Sequence, residues 1–140
     1  MAKGDTFHCS VITPERAVLE VEATFVAFPA HDGEVGILPH RAPLLYRLGQ
    51  GALRVETREG TEKFYIDGGF AQMAENRLTI LTEQAKRLSE LDRAAAERAL
   101  VAAREMKAEG EAGLAARERA LQRARVQLRL TSGQGTSTSH

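Results

Sequence analysis

Gly33-Glu34-Val35-Gly36-Ile37-Leu38-Pro39-His40-Arg41-Ala42-Pro43-Leu44 packs two glycines and two prolines into twelve residues, interleaved with Val, Ile and Leu. Gly33 and Gly36 permit backbone angles or close approaches that a side chain resists. Pro39 and Pro43 fix φ and each lack an N–H donor, so neither fits inside a central strand. The stretch predicts a short apolar strand that turns at Pro39 and leaves a stiff, polar corner at His40-Arg41. Such a corner suits a fixed docking surface.

Strand patterns lie on both sides of it. Phe7, Cys9 and Val11 alternate with Thr6, His8 and Ser10, the period of a half-buried strand. Runs at Ala17–Glu22 and Ala23–Phe28 follow. Leu53 and Val55 alternate with Arg54 and Glu56, and Phe64 and Ile66 alternate with Lys63, Tyr65 and Asp67. These two runs predict a hairpin turning at Glu59-Gly60, with one buried and one wet face. Gly68-Gly69 and Glu75-Asn76 are turn signals, and Leu78-Thr79-Ile80-Leu81 is the last strand. Short strands at this spacing predict a sandwich or a barrel. No helix-period stretch interrupts them, which argues against a parallel βαβ sheet.

After Ala85 the pattern turns helical. Ser89 or Asp92 can cap the first helix. Leu91, Ala95, Ala99, Ala102 and Met106 form a stripe at helical spacing. Glu109-Gly110-Glu111-Ala112-Gly113 has two glycines and no bulky apolar residue, so it predicts the turn into a second helix. That helix carries Leu114, Leu121 and Leu128, with Ala120 and Ala124 between. Stripes built mostly of Ala bury little area, so a loosely held, mobile hairpin is expected. Arg117, Arg119, Arg123, Arg125 and Arg129 face one acid, Glu118, in this helix. A solvated face and a site for an acidic partner both fit that excess. Residues 132–140 hold no apolar side chain and predict a disordered tail.

Other function classes are excluded by what the chain lacks. Its 19 basic and 19 acidic residues balance, so net charge favours neither nucleic acid nor a membrane surface. Cys9 stands alone, which excludes an internal disulfide and fits a reducing compartment. Its place in an alternating strand predicts a small buried apolar role. No apolar run approaches the roughly 20 residues of a membrane span, and no signal core follows Met1-Ala2-Lys3-Gly4-Asp5. There is no phosphate loop and no GxGxxG. His8, His31, His40 and His140 lack metal-ligand spacing, and no metal site is expected. No nucleophile, base and orienting group come together, so no enzyme is expected.

Four stretches in this order carry a family resemblance: Gly33 to Leu44; Ile66-Asp67-Gly68-Gly69-Phe70-Ala71-Gln72-Met73; Leu78 to Ala85; and Leu91-Asp92. Together they resemble the epsilon subunits of bacterial F-type ATP synthases, from about Thr6 to Leu130. The resemblance implies a ten-stranded antiparallel sandwich over residues 1–86 and an antiparallel two-helix hairpin over 87–131. It implies a non-catalytic rotor subunit that bridges the gamma subunit and the ring of c subunits. The hairpin would fold on the sandwich, or extend toward the beta and alpha subunits and inhibit ATP hydrolysis. The place implied is the cytoplasmic face of the bacterial cell membrane, peripherally and without insertion.

Site residues carry over unevenly. Asp32 and Glu34 match the acidic turn that lies toward the c ring, although an exposed turn acid reads the same way. His40, Arg41 and Pro43 match the corner near gamma. There the family has Pro-Gly-His-Ala-Pro, so His40 replaces a glycine and Arg41 a histidine; the turn is expected to survive, with its backbone angles and gamma contact left open by the exchange. Arg119, Arg123 and Arg125 match the inhibitory helix. Some relatives bind ATP through Leu-Asp-x-x-Arg-Ala. Here Asp92 and Arg93 are present but Ala95 stands in the arginine's place. No cofactor is therefore expected. From the residues alone, an adaptor whose Arg-rich helix binds nucleic acid is the alternative function.

Overall fold

A computed structural model describes the backbone of residues 5–137 and the side chains of residues 5–131. The chain divides into two units, one ending at Arg87 and the other opening at Leu88. The strands of the first are β1 (Phe7–Ile12), β2 (Ala17–Ala23), β3 (Phe25–Ala30), β4 (Gly33–Ile37), β5 (Leu44–Arg47), β6 (Gln50–Thr57), β7 (Gly60–Asp67), β8 (Phe70–Ala74), β9 (Arg77–Leu81) and β10 (Ala85–Arg87). They form two five-stranded sheets, ordered β2-β1-β9-β8-β5 and β10-β7-β6-β3-β4.

Alternation explains the core. Phe7, Cys9 and Val11 from β1 meet Val26 and Phe28 from β3, Leu53 and Val55 from β6, and Phe64 and Ile66 from β7 in one cluster. Ala71, Met73, Leu78 and Ile80 complete it from β8 and β9. The ten-stranded sandwich is thus present, with one difference. β1 pairs with β9 in parallel, so one sheet is mixed rather than antiparallel. Strand periodicity reports which face is buried but carries no information on pairing direction. Tyr65 departs from the expected wet face of β7: it is fully buried, and stands in register between Ala52 and Lys86.

The Gly68-Gly69 signal marks a close approach of backbones. Gly69 has φ +101, and a Cβ there would stand 1.8 Å from the Leu81 carbonyl oxygen. Only glycine satisfies both conditions.

In the second unit a single 3-10 turn (Leu88–Glu90) precedes α1 (Arg93–Arg104) and α2 (Gly110–Ser137). Asp92 is the cap, its Oδ1 accepting the Ala94 N–H at 3.1 Å. The helices contact one another across a five-residue connection, Glu105 to Glu109, which requires them to run antiparallel. The turn therefore lies earlier than the expected Glu109–Gly113. Gly113 instead belongs to α2, where a Cβ would meet the Ala108 carbonyl carbon at 3.4 Å. The buried stripe of α1 is Ala96 and Ala103, one position round from the expected Ala95, Ala99 and Ala102. On α2, Leu121 and Ala124 are buried while Leu114 stays 52% exposed. A gap of about 210 Å³ lies between Ala99, Ala102 and Met106 on one side and Ala120, Arg123 and Gln127 on the other. The helix runs to Ser137, through most of the stretch expected to be a disordered tail. The last three residues of that tail lie outside the described residues.

Two outcomes follow from the sandwich. Gly69→Ala should cost about 3 kcal/mol or more in stability, read as a lowered Tm, because both φ and space oppose a methyl. A Tm within error of the parent would mean the β8–β9 approach is looser than drawn. Burial pushes the Cys9 thiol up from 9.0 to about 12. The unfolded chain then ionises from about pH 9 while the folded chain does not, so stability falls as pH rises past that value. Cys9 should resist alkylation at pH 8 until the protein unfolds; rapid labelling of the native chain would contradict its burial.

Candidate functional site

The twelve-residue stretch around β4 builds two exposed features at opposite ends of one strand. Gly36 earns its place on β4 because a Cβ there would come within 2.9 Å of the Phe25 ring. At the strand's start, Ala30 and Gly33 pair across the β3–β4 hairpin, with His31 and Asp32 at its tip. The His31 N–H donates to the Arg47 carbonyl at 2.8 Å, tying the tip to β5. Asp32 and Glu34 are both exposed there.

At the strand's other end the chain leaves Ile37, turns over Pro39 and enters β5 at Leu44. His40 has φ 65°, the left-handed angle that glycine favours. Its N–H donates to Asn76 Oδ1 at 2.7 Å. Asn76 in turn donates from Nδ2 to the Thr6 carbonyl at 2.9 Å, and its own carbonyl accepts the His8 N–H at 3.2 Å. Glu75 and Asn76 have φ 54° and 60°, the pair of left-handed angles of a tight two-residue hairpin. Arg41 folds back, its Nη1 donating to the Gly36 carbonyl at 3.1 Å. That contact ties the corner back to β4, the edge strand of its sheet. His40, Arg41 and Pro43 are exposed.

The structure thus brings Asp32 to Glu34, and His40 to Arg41 and Pro43, and separates the two groups by the length of β4. Its five residues span about 16 Å.

An apolar strip was not anticipated. On the sheet face turned away from the core, Leu45, Phe70 and Leu81 are 68%, 50% and 46% exposed. Phe70 stands opposite Leu81 across β8–β9, and Leu45 lies diagonally from Phe70 across β5–β8. Leu38, in the corner, is likewise exposed, at 57%. The phase of Phe70 with Gln72, opposite to Ala71 and Met73, is the signal that shows it in the sequence. Contiguous exposed apolar surface of this kind marks an interaction site.

In the second unit Arg119 and Arg125 are exposed and Arg123 lines the gap between the helices. Arg117 Nη2 donates to the Arg104 carbonyl at 3.3 Å. Asp92 is engaged as the helix cap, and Arg93 Nε lies 3.5 Å from Glu97 Oε2. Among the described residues no group of His, Cys, Asp and Glu is arranged to hold a metal ion.

Residues 6–88 match the family described as ATP synthase, Delta/Epsilon chain, beta-sandwich domain. The chain is 41% identical over 124 residues to the ATP synthase epsilon chain of Rhodopirellula baltica, covering 89% of this chain and 97% of the relative. It is 35% identical over 127 residues to that of Delftia acidovorans, covering 90% and 87%. Among solved structures it resembles a chain of the Euglena gracilis mitochondrial ATP synthase OSCP/F1/c-ring assembly, with a TM-score of 0.76 and 25% identity, covering 86% of this chain and 78% of that one. A chain of the Tetrahymena thermophila central stalk/c-ring shares the fold with a TM-score of 0.66 at 16% identity, covering 93% and 99%. The chain therefore belongs to the ATP synthase epsilon chain family and is a non-catalytic subunit of that enzyme.

Proposed function

We propose that the chain serves in the central stalk of an ATP synthase as a stiff coupling between the gamma subunit and the c ring, and that its hairpin restrains ATP hydrolysis. The observation that carries this is the pair of exposed features at the two ends of β4. The corner of His40, Arg41 and Pro43, with the apolar strip of Leu45, Phe70 and Leu81, faces gamma. The acidic turn of Asp32 and Glu34 faces the c ring. A connector that passes torque must not shear, and both features are braced by a core of fully buried side chains. No described helix is long and apolar enough to cross a membrane. Attachment is then peripheral, on the cytoplasmic face of the bacterial membrane, through protein contacts alone.

The hairpin suits a brake. An element that switches needs two packings within a few kcal/mol of one another. The α1–α2 contact rests on Ala96, Ala103, Leu121 and Ala124, which bury little area. Opening it would present Arg123 beside Arg119 and Arg125 to an acidic segment of the beta subunit. No regulatory nucleotide is assigned to Asp92 and Arg93, whose side chains serve the helix itself.

The test is reconstitution. Added to an ATP synthase stripped of its own epsilon chain, the full chain should bind and restore coupling of proton flow to ATP synthesis. Failure to bind would overturn the proposal. Within the reconstituted complex, replacing Arg119, Arg123 and Arg125 with Ala should raise ATP hydrolysis by about three- to tenfold, the sum of a few exposed ion pairs. An unchanged rate would return these arginines to a solvated face.

A further inference from the structure

Asn76 is the point where three separate segments meet. Its Oδ1 takes the His40 N–H, its Nδ2 holds the Thr6 carbonyl, and its own carbonyl takes the His8 N–H. It is half-buried, and the turn that carries it is pinned between β8 and β9. The corner it touches lies outside the sheets, held also by the Arg41 side chain on the Gly36 carbonyl. Residues 38–43 belong to no strand, and His40 sits at φ 65°, an angle that a histidine leaves readily. The 2.7 Å bond from the His40 N–H is made by the very residue whose conformation needs support.

We propose that Asn76 is a positioning residue for docking: it holds His40 in the left-handed conformation and so sets the direction in which Arg41 and Pro43 are presented to the partner. It acts through the corner and does not itself touch the partner. Glycine at position 40 would reach this angle without help; histidine, which carries a Cβ, gains from a bond that latches it there. The inference rests on the reading of the corner as the surface that meets gamma.

Three variants of the full chain separate the possibilities. Asn76→Gly keeps the left-handed turn but removes both side-chain bonds. Asn76→Asp keeps an acceptor for the His40 N–H and loses only the donor to Thr6. The double variant His40→Gly with Asn76→Gly removes the need for the latch along with the latch. Binding to epsilon-depleted ATP synthase is measured for each, with Tm and amide hydrogen exchange at position 40 on the free chain. Asn76→Gly should bind about tenfold more weakly and exchange the His40 amide about tenfold faster. Asn76→Asp should keep affinity within about threefold, and the double variant should recover most of the loss. Asn76→Gly with unchanged affinity would overturn the inference while leaving the docking reading intact. So would an Asn76→Asp chain as weak as Asn76→Gly with its His40 amide still protected, since the lost Thr6 bond and not the hold on His40 would then be at fault. A parent chain that does not bind at all would overturn the docking reading and this one with it.

Discussion

Everything in the sandwich depends on β1 lying beside β9. The register, His8 with Arg77 through Ile12 with Leu81, joins the first strand of the unit to its ninth. That pairing puts β1 between β2 and β9, so that Phe7, Cys9 and Val11 reach the middle of the core. Its ends are fastened by the His8 N–H on Asn76 and the Thr82 N–H on Ile12. A contact between such distant parts of the chain has a large entropy cost and forms slowly. Once made, it leaves no local way to peel the first strand off. The corner of His40, Arg41 and Pro43 shares that property, because Asn76 belongs to the same knot of bonds, and the proposed coupling role requires it.

The hairpin is built on the opposite principle. Its contacts are local in sequence, its buried residues are mainly alanines, and a gap remains between its helices. Alanine favours helix and so keeps each helix formed when the two part. Weak association of two individually good helices is what a two-position element requires. Under the proposed function stiffness and switching fall to different units, and their buried side chains differ: Phe, Leu, Ile, Val and Met dominate the sandwich, while Ala96, Ala103 and Ala124 join Leu121 and Val126 in the described helices.

Much of this could be read from residue order, and the failures have physical causes. Alternation located most strands because each has one face in the core. Pro39 and Pro43 marked the corner because proline's constraints are local. The direction of β1 against β9 was illegible, since pairing between distant strands leaves no periodic trace. The buried face of α1 was misplaced by one position because Ala94, Ala95, Ala96, Ala99, Ala102 and Ala103 present nearly the same signal on several faces. The turn between the helices was set too late because Gly113 looked like a breaker, whereas its lack of Cβ serves the approach of Ala108. The left-handed angle of His40 was invisible for another reason. It accompanies a bond to Asn76, 36 residues away, which residue order does not reveal.

The central claim is that the two ends of β4 face two different partners. Photo-crosslinking from single sites in the assembled synthase measures this directly, with a benzophenone attached at position 34 in one preparation and at position 41 in another. The account predicts adducts to a c subunit from position 34 and to gamma from position 41, with no exchange between them. Adducts from both positions to one subunit would contradict it, as would adducts to neither.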